Sequence, residues 1–248
     1  MKNRMIIGIM LVLLTVIRIP AVSGDSFENP VYTQDYIAQQ EGMLSQKEQY
    51  FPRFMFQENF NVDPTKPLIS EPENGYYRYE MYQAGKFETM LATYKTAVSD
   101  QGWGESHFNT TGSYEDFYMA IEMQLIERDD TGTGYIWFQY TDKDLVGENN
   151  RKAVTIEYPI AIRSYTSGPD GRVYTTHYDL SEYKNDYQVH KVEIMRLDGY
   201  VRVYIDGRFI TGFNDGFSGK FYQLYGTGLY KGGKYVTGSF DNFILRVR

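Results

Sequence analysis

The segment Val189–Ile210, VHKVEIMRLDGYVRVYIDGRFI, limits what this chain can become more than any other stretch. Val192 and Ile194 alternate with charged neighbours, and Val201, Val203 and Ile205 alternate with Arg202, Tyr204 and Asp206. A period of two sends successive side chains to opposite faces, so both runs read as strands with one buried and one wet side. Between them Asp198-Gly199 supplies the pair that a two-residue hairpin turn favours, because both central residues of that turn take positive φ. Asp206-Gly207 repeats the turn signal.

The same period recurs along the chain. Phe54–Phe60 reads as an opening strand, and the proline-rich stretch from Asp63 to Pro72 disfavours a ladder because proline lacks the donor. Tyr76–Tyr82 and Lys86–Lys95 are strand candidates. In Phe117–Glu127, Met119, Ile121, Met123 and Leu125 alternate with Tyr118, Ala120, Glu122 and Gln124. In Tyr135–Tyr140, Ile136, Phe138 and Tyr140 stand opposite Tyr135, Trp137 and Gln139. Val154–Tyr158 and Val173–Tyr178 complete the set, joined by a loop with Ser167-Gly168-Pro169-Asp170-Gly171. No repeat of fixed period is present, which removes solenoids and propellers. With 24 Tyr and 17% aromatic residues, the composition suits pleated surfaces, and 248 residues make one sandwich plus a tail.

The run Val201–Gly207, V-x-V-Y-I-D-G, together with GSFDNFIL at Gly238–Leu245, resembles the second half of concanavalin A-like lectin/glucanase sandwiches. Laminin-G-like and 3-keto-disaccharide-hydrolase-like secreted domains are the nearest types suggested. The resemblance covers roughly Phe54–Arg248 and implies an all-β, two-sheet antiparallel jelly-roll sandwich over residues 53–248. It also implies a superfamily that holds both sugar-binding modules and glycosidases, so fold alone does not choose between them. Phe117–Glu127 and Tyr135–Tyr140 resemble its central hairpin.

Residues 1–24 read as a secretory signal peptide: Lys2 and Arg4 precede the apolar run Met5–Ile17, and Ala21-Val22-Ser23-Gly24 offers small residues for cleavage. The run is short for a bilayer span and Arg18 closes it, so a retained anchor is the runner-up. A secreted, periplasmic or cell-surface location follows, with no stable membrane span after cleavage. Cleavage removes three cations and takes the formal charge from −7 to −10, which argues against nucleic-acid partners. There is no cysteine, hence neither a disulfide nor a lipidated thiol. Residues 25–52 show no clean periodicity and read as a linker or a weakly ordered helix.

Nucleophilic chemistry has little to work with: no cysteine, no G-x-S-x-G, and only His107, His177 and His190. No histidine pair has zinc-ligand spacing. Carboxylates offer more. Retaining glycosidases of the resembled superfamily carry E-x-D-x-x-E on one strand, and Glu122-Met123-Gln124-Leu125-Ile126-Glu127 has that spacing with Gln124 in the central place. Glu122 and Glu127 are therefore the catalytic candidates, provided that a bulge brings both to one face.

Sugar binding asks for less, since a flat ring stacks on the C–H face of a sugar and amides or carboxylates take its hydroxyls. Trp137, Tyr135, Gln139, Glu122 and Gln124 are expected to share the open face of the central hairpin, with Trp103 on a loop between two glycines. The competing reading of each ring is as core. The resemblance also brings in calcium, for which Asp129-Asp130, Asp170, Asn214-Asp215 and Asp241-Asn242 supply turn oxygens, none at loop-motif spacing. A structural ion is left open; no cofactor or metal ligand is assigned. The expectation is a secreted, non-catalytic glycan-binding domain, with a glycoside hydrolase and a protein-binding adhesion module as alternatives. The sequence sets no oligomeric state.

Overall fold

The computed structural model describes residues 27–58, 77–82, 86–90, 93–97, 104–110, 112–128, 134–142, 151–168, 171–229 and 236–248. Two antiparallel sheets dominate it. Sheet A runs, across its width, β13 (Arg208–Asn214), β12 (Tyr200–Ile205), β11 (His190–Leu197), β6 (Phe117–Arg128), β15 (Val236–Val247), β4 (Thr93–Ala97) and β3 (Lys86–Met90). The second half of β15 pairs with β1 (Arg53–Glu58). Sheet B runs β10 (Gly171–Asp179), β9 (Ala161–Gly168), β8 (Lys152–Tyr158), β7 (Gly134–Thr141), β14 (Tyr222–Leu229), β5 (Gly104–Thr110) and β2 (Tyr77–Tyr82).

The hairpins read from sequence form as expected. Asp198 and Gly199 take φ of 51° and 77°, and Asp206 and Gly207 take 52° and 77°, as a two-residue turn of this hand demands. The inward sides of both sheets meet in one core: Met119, Ile121 and Met123 of β6 face Ile136, Phe138 and Tyr140 of β7. Each of these side chains has essentially no contact with solvent.

Three expectations need correction. First, Phe117–Glu127 and Tyr135–Tyr140 do not pair: β6 lies between β11 and β15 in sheet A, and β7 lies between β8 and β14 in sheet B. Alternation fixes which side chains face inward but not which strand lies alongside, so two consecutive amphipathic strands fit a hairpin or a crossing between sheets equally well. Second, Lys86–Lys95 is a hairpin, β3 followed by β4. Third, the region taken as a loop after Val154–Tyr158 contains β9, which follows a tight turn at the cis Tyr158–Pro159 bond.

The segment before the sandwich is helical. Thr33 caps α1 (Gln34–Ser45) by accepting from the Tyr36 amide, and a one-turn helix, α2 (Lys47–Tyr50), follows. These helices lie on the outer face of sheet A, where Leu44 and Phe51 pack with Tyr118, Met195, Tyr204 and Phe209. Among the described residues no helix is long and apolar enough to cross a membrane.

Candidate functional site

The outer side of each sheet is set by the same alternation that builds the core. On β7 the residues turned away from the core are Tyr135, Trp137, Gln139 and Thr141, and Trp137 stands directly across from Glu157 on β8 and Gly226 on β14. Tyr135, Trp137 and Leu224 form a small apolar cluster separate from the inter-sheet core. Trp137 is therefore not between the layers. It is not an open platform either: Tyr135, Trp137 and Gln139 are 8%, 2% and 4% exposed, which corrects the expectation of exposed rings on this strand. β7 is a central strand buried on both faces, and alternation marks a non-core face without showing whether water reaches it.

Glu122 and Gln124 lie on the far side of the molecule. They belong to the outer face of sheet A, so the expected shared face with Trp137 does not exist. The bulge that the glutamate pair requires is present: the register passes from Thr237↔Glu127 to Gly238↔Leu125, which leaves Ile126 extra and turns Glu127 to the side of Glu122. Opposite them, Asp241 and Thr237 are four positions apart, so the two glutamates are separated by about 13 Å along the strand. That exceeds both the roughly 5 Å of a retaining pair and the roughly 6.5–9.5 Å of an inverting one. Glu122 accepts from Asn242 Nδ2 at 2.8 Å, Thr237 Oγ1 donates to Glu127 at 3.2 Å, and Gln124 donates to the Tyr187 carbonyl at 2.8 Å. Trp103, Asp129-Asp130 and Asp170 lie outside the described residues. Asp215, one of the turn oxygens considered for calcium, is committed to Arg196 at 2.7 Å.

The outer face of sheet B reaches solvent at its edge, on Arg172, Tyr174 and Thr176 of β10 and Arg163 of β9, whereas Tyr165 and Ser167 of β9 and the outward residues of β8 are buried. Three rows of side chains cross these strands. Arg151, just before β8, stands with Ser167 and Arg172; Ala153 stands with Tyr165 and Tyr174; Thr155 stands with Arg163 and Thr176. Arg172 lays its guanidinium over the Tyr165 ring at 5.1 Å, and Arg163 lays its own over Tyr174 at 5.6 Å. The two tyrosine rings are 5.3 Å apart. Glu157 pairs with Arg163 at 2.7 Å, its carboxylate buried and the guanidinium side chain 25% exposed. This wing combines a flat aromatic surface with directional donors at the place where solvent arrives, while Trp137, Tyr135 and Gln139 form the closed floor beside it.

No protein-family model matches the chain, and no curated protein is similar to it in sequence. Solved structures are. The laminarinase catalytic domain from Thermotoga maritima MSB8 superposes with a TM-score of 0.52 at 11% identity, covering 79% of this chain and 98% of that one. Laminarinase from Flavobacterium sp. UMI-01 gives 0.51 at 13% identity, with 79% and 100% covered. A mixed-linkage glucan enzyme of the GH16 type from Bacteroides ovatus gives 0.51 at 12%, with 77% and 99% covered. The fold is the concanavalin A-like jelly roll.

Within this jelly roll, sequence reasoning missed the wing. β9 carries a single bulky aliphatic residue, Ile162, so its alternation is faint, although Arg163, Tyr165 and Ser167 against Ile162 and Ser164 was a legible pattern. Glu157 was passed over because its cross-strand place beside Trp137 exists only once the strands are paired. The register also sets His107 level with Gly226 and Trp137, and Glu105 level with Gly228 and Tyr135.

Proposed function

We propose that this chain binds a polysaccharide non-covalently on the outer face of sheet B, at the wing of β8, β9 and β10, outside the cytoplasm. The observation that carries this reading is the pairing of Tyr165 with the half-exposed Tyr174 under two guanidinium groups. A ring held flat by its neighbours loses little freedom when a sugar stacks on it, and Thr176 and the arginines offer hydrogen bonds around it. Similarity to laminarinases and to a mixed-linkage glucan enzyme supports a polysaccharide as the ligand class; at 11–13% identity no residue role is carried over. The apolar run Met5–Ile17 behind Lys2 and Arg4 supports export.

Hydrolysis is the second reading, favoured by Glu157 lying across from Trp137. It needs a second carboxyl within reach, and Glu157 is already bound to Arg163. The test is calorimetric titration of the mature chain with laminarin, mixed-linkage β-glucan, polygalacturonate and dextran sulfate, with reducing-end release measured in parallel. Binding to at least one of them, weakened about tenfold in Tyr174→Ala and without release, supports the proposal. Binding to none rejects it, and release that vanishes in Glu157→Gln replaces it with the hydrolytic reading.

A further inference from the structure

On one side of the sandwich the sheets end in β10 (sheet B) and β13 (sheet A), and among the described residues each has a strand partner on one flank only. The free flank of such a strand presents main-chain N–H and C=O groups that a further strand can take up. Here side chains from the N-terminal segment reach those groups. Asn29 donates from Nδ2 to the Asp179 carbonyl at 3.0 Å and accepts from the Asp179 amide at 2.6 Å, the two-bond exchange that a residue of an adjoining antiparallel strand would make. On β13 the Gly212 amide donates to the Tyr32 hydroxyl at 3.3 Å, and the Phe209 amide donates to the Glu41 carboxylate at 3.2 Å. These two amides stand on either side of the bulge at Ile210, where the register passes from Val203↔Thr211 to Tyr204↔Phe209.

Hydrogen bonds carry much of this hold. Only Gln40 and Leu44 of α1 are buried, and Val31 is 97% exposed. The core between the sheets draws on none of residues 29–41. We infer that this segment is an edge guard: it keeps β13, and the end of β10 beside it, from pairing with a second copy of this chain, and its displacement turns β13 into an interface. A two-fold contact sets the same strand against itself in antiparallel sense. Arg208 is the one charged residue of β13 and stands at its start, so the partner strand brings Asn214 opposite it and no second guanidinium.

The experiment compares the mature chain with Asn29→Ala/Tyr32→Phe/Glu41→Ala, which removes the guard's side-chain bonds to the edge backbone and keeps the Tyr32 ring and Leu44. Circular dichroism and a hydrophobic dye verify that the variant is folded and that the face under α1 stays covered. Sedimentation over a range of concentrations reads the mass, and hydrogen exchange followed by nuclear magnetic resonance reads the Phe209 and Gly212 amides. The expected result is a folded variant whose mass rises with concentration toward about twofold that of the wild type. Its two amides exchange fast when dilute and slowly when concentrated, whereas in the wild type they exchange slowly throughout. A folded variant that keeps the wild-type mass at every concentration overturns the inference, and so does association in which both amides still exchange fast. Should the triple variant lose its fold, Tyr32→Phe/Glu41→Ala, which strips β13 alone, is read by the same criteria. Loss of fold in both overturns it as well, since a guard is dispensable to the sandwich.

Discussion

Arg196 donates through Nε to Asp215 Oδ2 at 2.7 Å, and both side chains are sealed from solvent. Tyr140 donates to the same oxygen at 2.6 Å, so a residue of β11 in sheet A and one of β7 in sheet B share a carboxylate that follows β13. Arg196 also donates to the carbonyls of Glu115 and Phe217 at 2.6 and 2.8 Å and lies over the Phe221 ring. Burial, then the charge of Asp215, pushes the Tyr140 phenol well above its ordinary range, so it stays a donor. This cluster fastens the two layers at one end.

Removing one partner of such a pair leaves an uncompensated charge in the interior. Asp215→Ala is expected to lower unfolding free energy by about 3–5 kcal/mol, measured by urea denaturation. A loss under about 1 kcal/mol would show that the pair contributes little beyond its geometry.

His177 links the edge strands of the two sheets, β10 and β13. Its ring stacks on Phe213 of β13 at 3.5 Å with an interplanar angle of 3°, and its Nε2 lies 2.8 Å from Ser164 Oγ. Burial lowers its pKa from 6.5 to about 4. Between those values the unfolded chain binds a proton that the folded chain does not. Stability therefore falls as pH drops through 6.5, and the loss is complete once pH is below about 4. Wild-type protein should lose more thermal stability between pH 7 and pH 4 than His177→Gln; equal losses would remove His177 as the cause.

Gln139 lies 4% exposed on the closed floor, and its Nε2 has no hydrogen-bond partner among the described residues. A buried donor left unsatisfied costs about 1–3 kcal/mol, so Gln139→Met, of similar length, is predicted to leave the thermal midpoint unchanged or to raise it. A lowered midpoint would mean that the amide is satisfied in solution. Trp137→Ala, in the same layer, is predicted to cost about 3–5 kcal/mol through the cavity it leaves.

The N-terminal helices act as part of the sandwich. Tyr204 donates to the Gln40 carbonyl at 2.9 Å, Arg202 donates to the Gln40 side chain at 2.8 Å, and the Tyr36 and Tyr200 hydroxyls meet at 2.9 Å. A chain beginning at Arg53 uncovers Tyr118, Met195, Tyr204 and Phe209, and is predicted to show a lower midpoint and to bind a hydrophobic dye. An unchanged midpoint would mean that residues 27–52 only rest on the sheet.

Local features of the chain carried much of this fold. Asp198-Gly199 announced its turn, and the period of β6 and β11 assigned their inward faces, because both depend on residues close together in sequence. Partnership between strands was not legible. Glu122 and Trp137 both sit at non-core positions of strands consecutive in sequence, and only the crossing between sheets places them on opposite sides of the molecule. The tail hid its helix because Gln40 and Leu44, its buried residues, leave only a faint apolar stripe. The wing was hidden because its stacking partners come from separate strands, one of which has little aliphatic signal.

The most direct measurement is nuclear magnetic resonance titration of the isotope-labelled mature chain with a soluble oligosaccharide of whichever polymer binds. The account predicts chemical-shift changes gathered on Arg163, Tyr165, Arg172, Tyr174 and Thr176. Changes centred instead on Glu122, Gln124 and Glu127, across the sandwich, would contradict it.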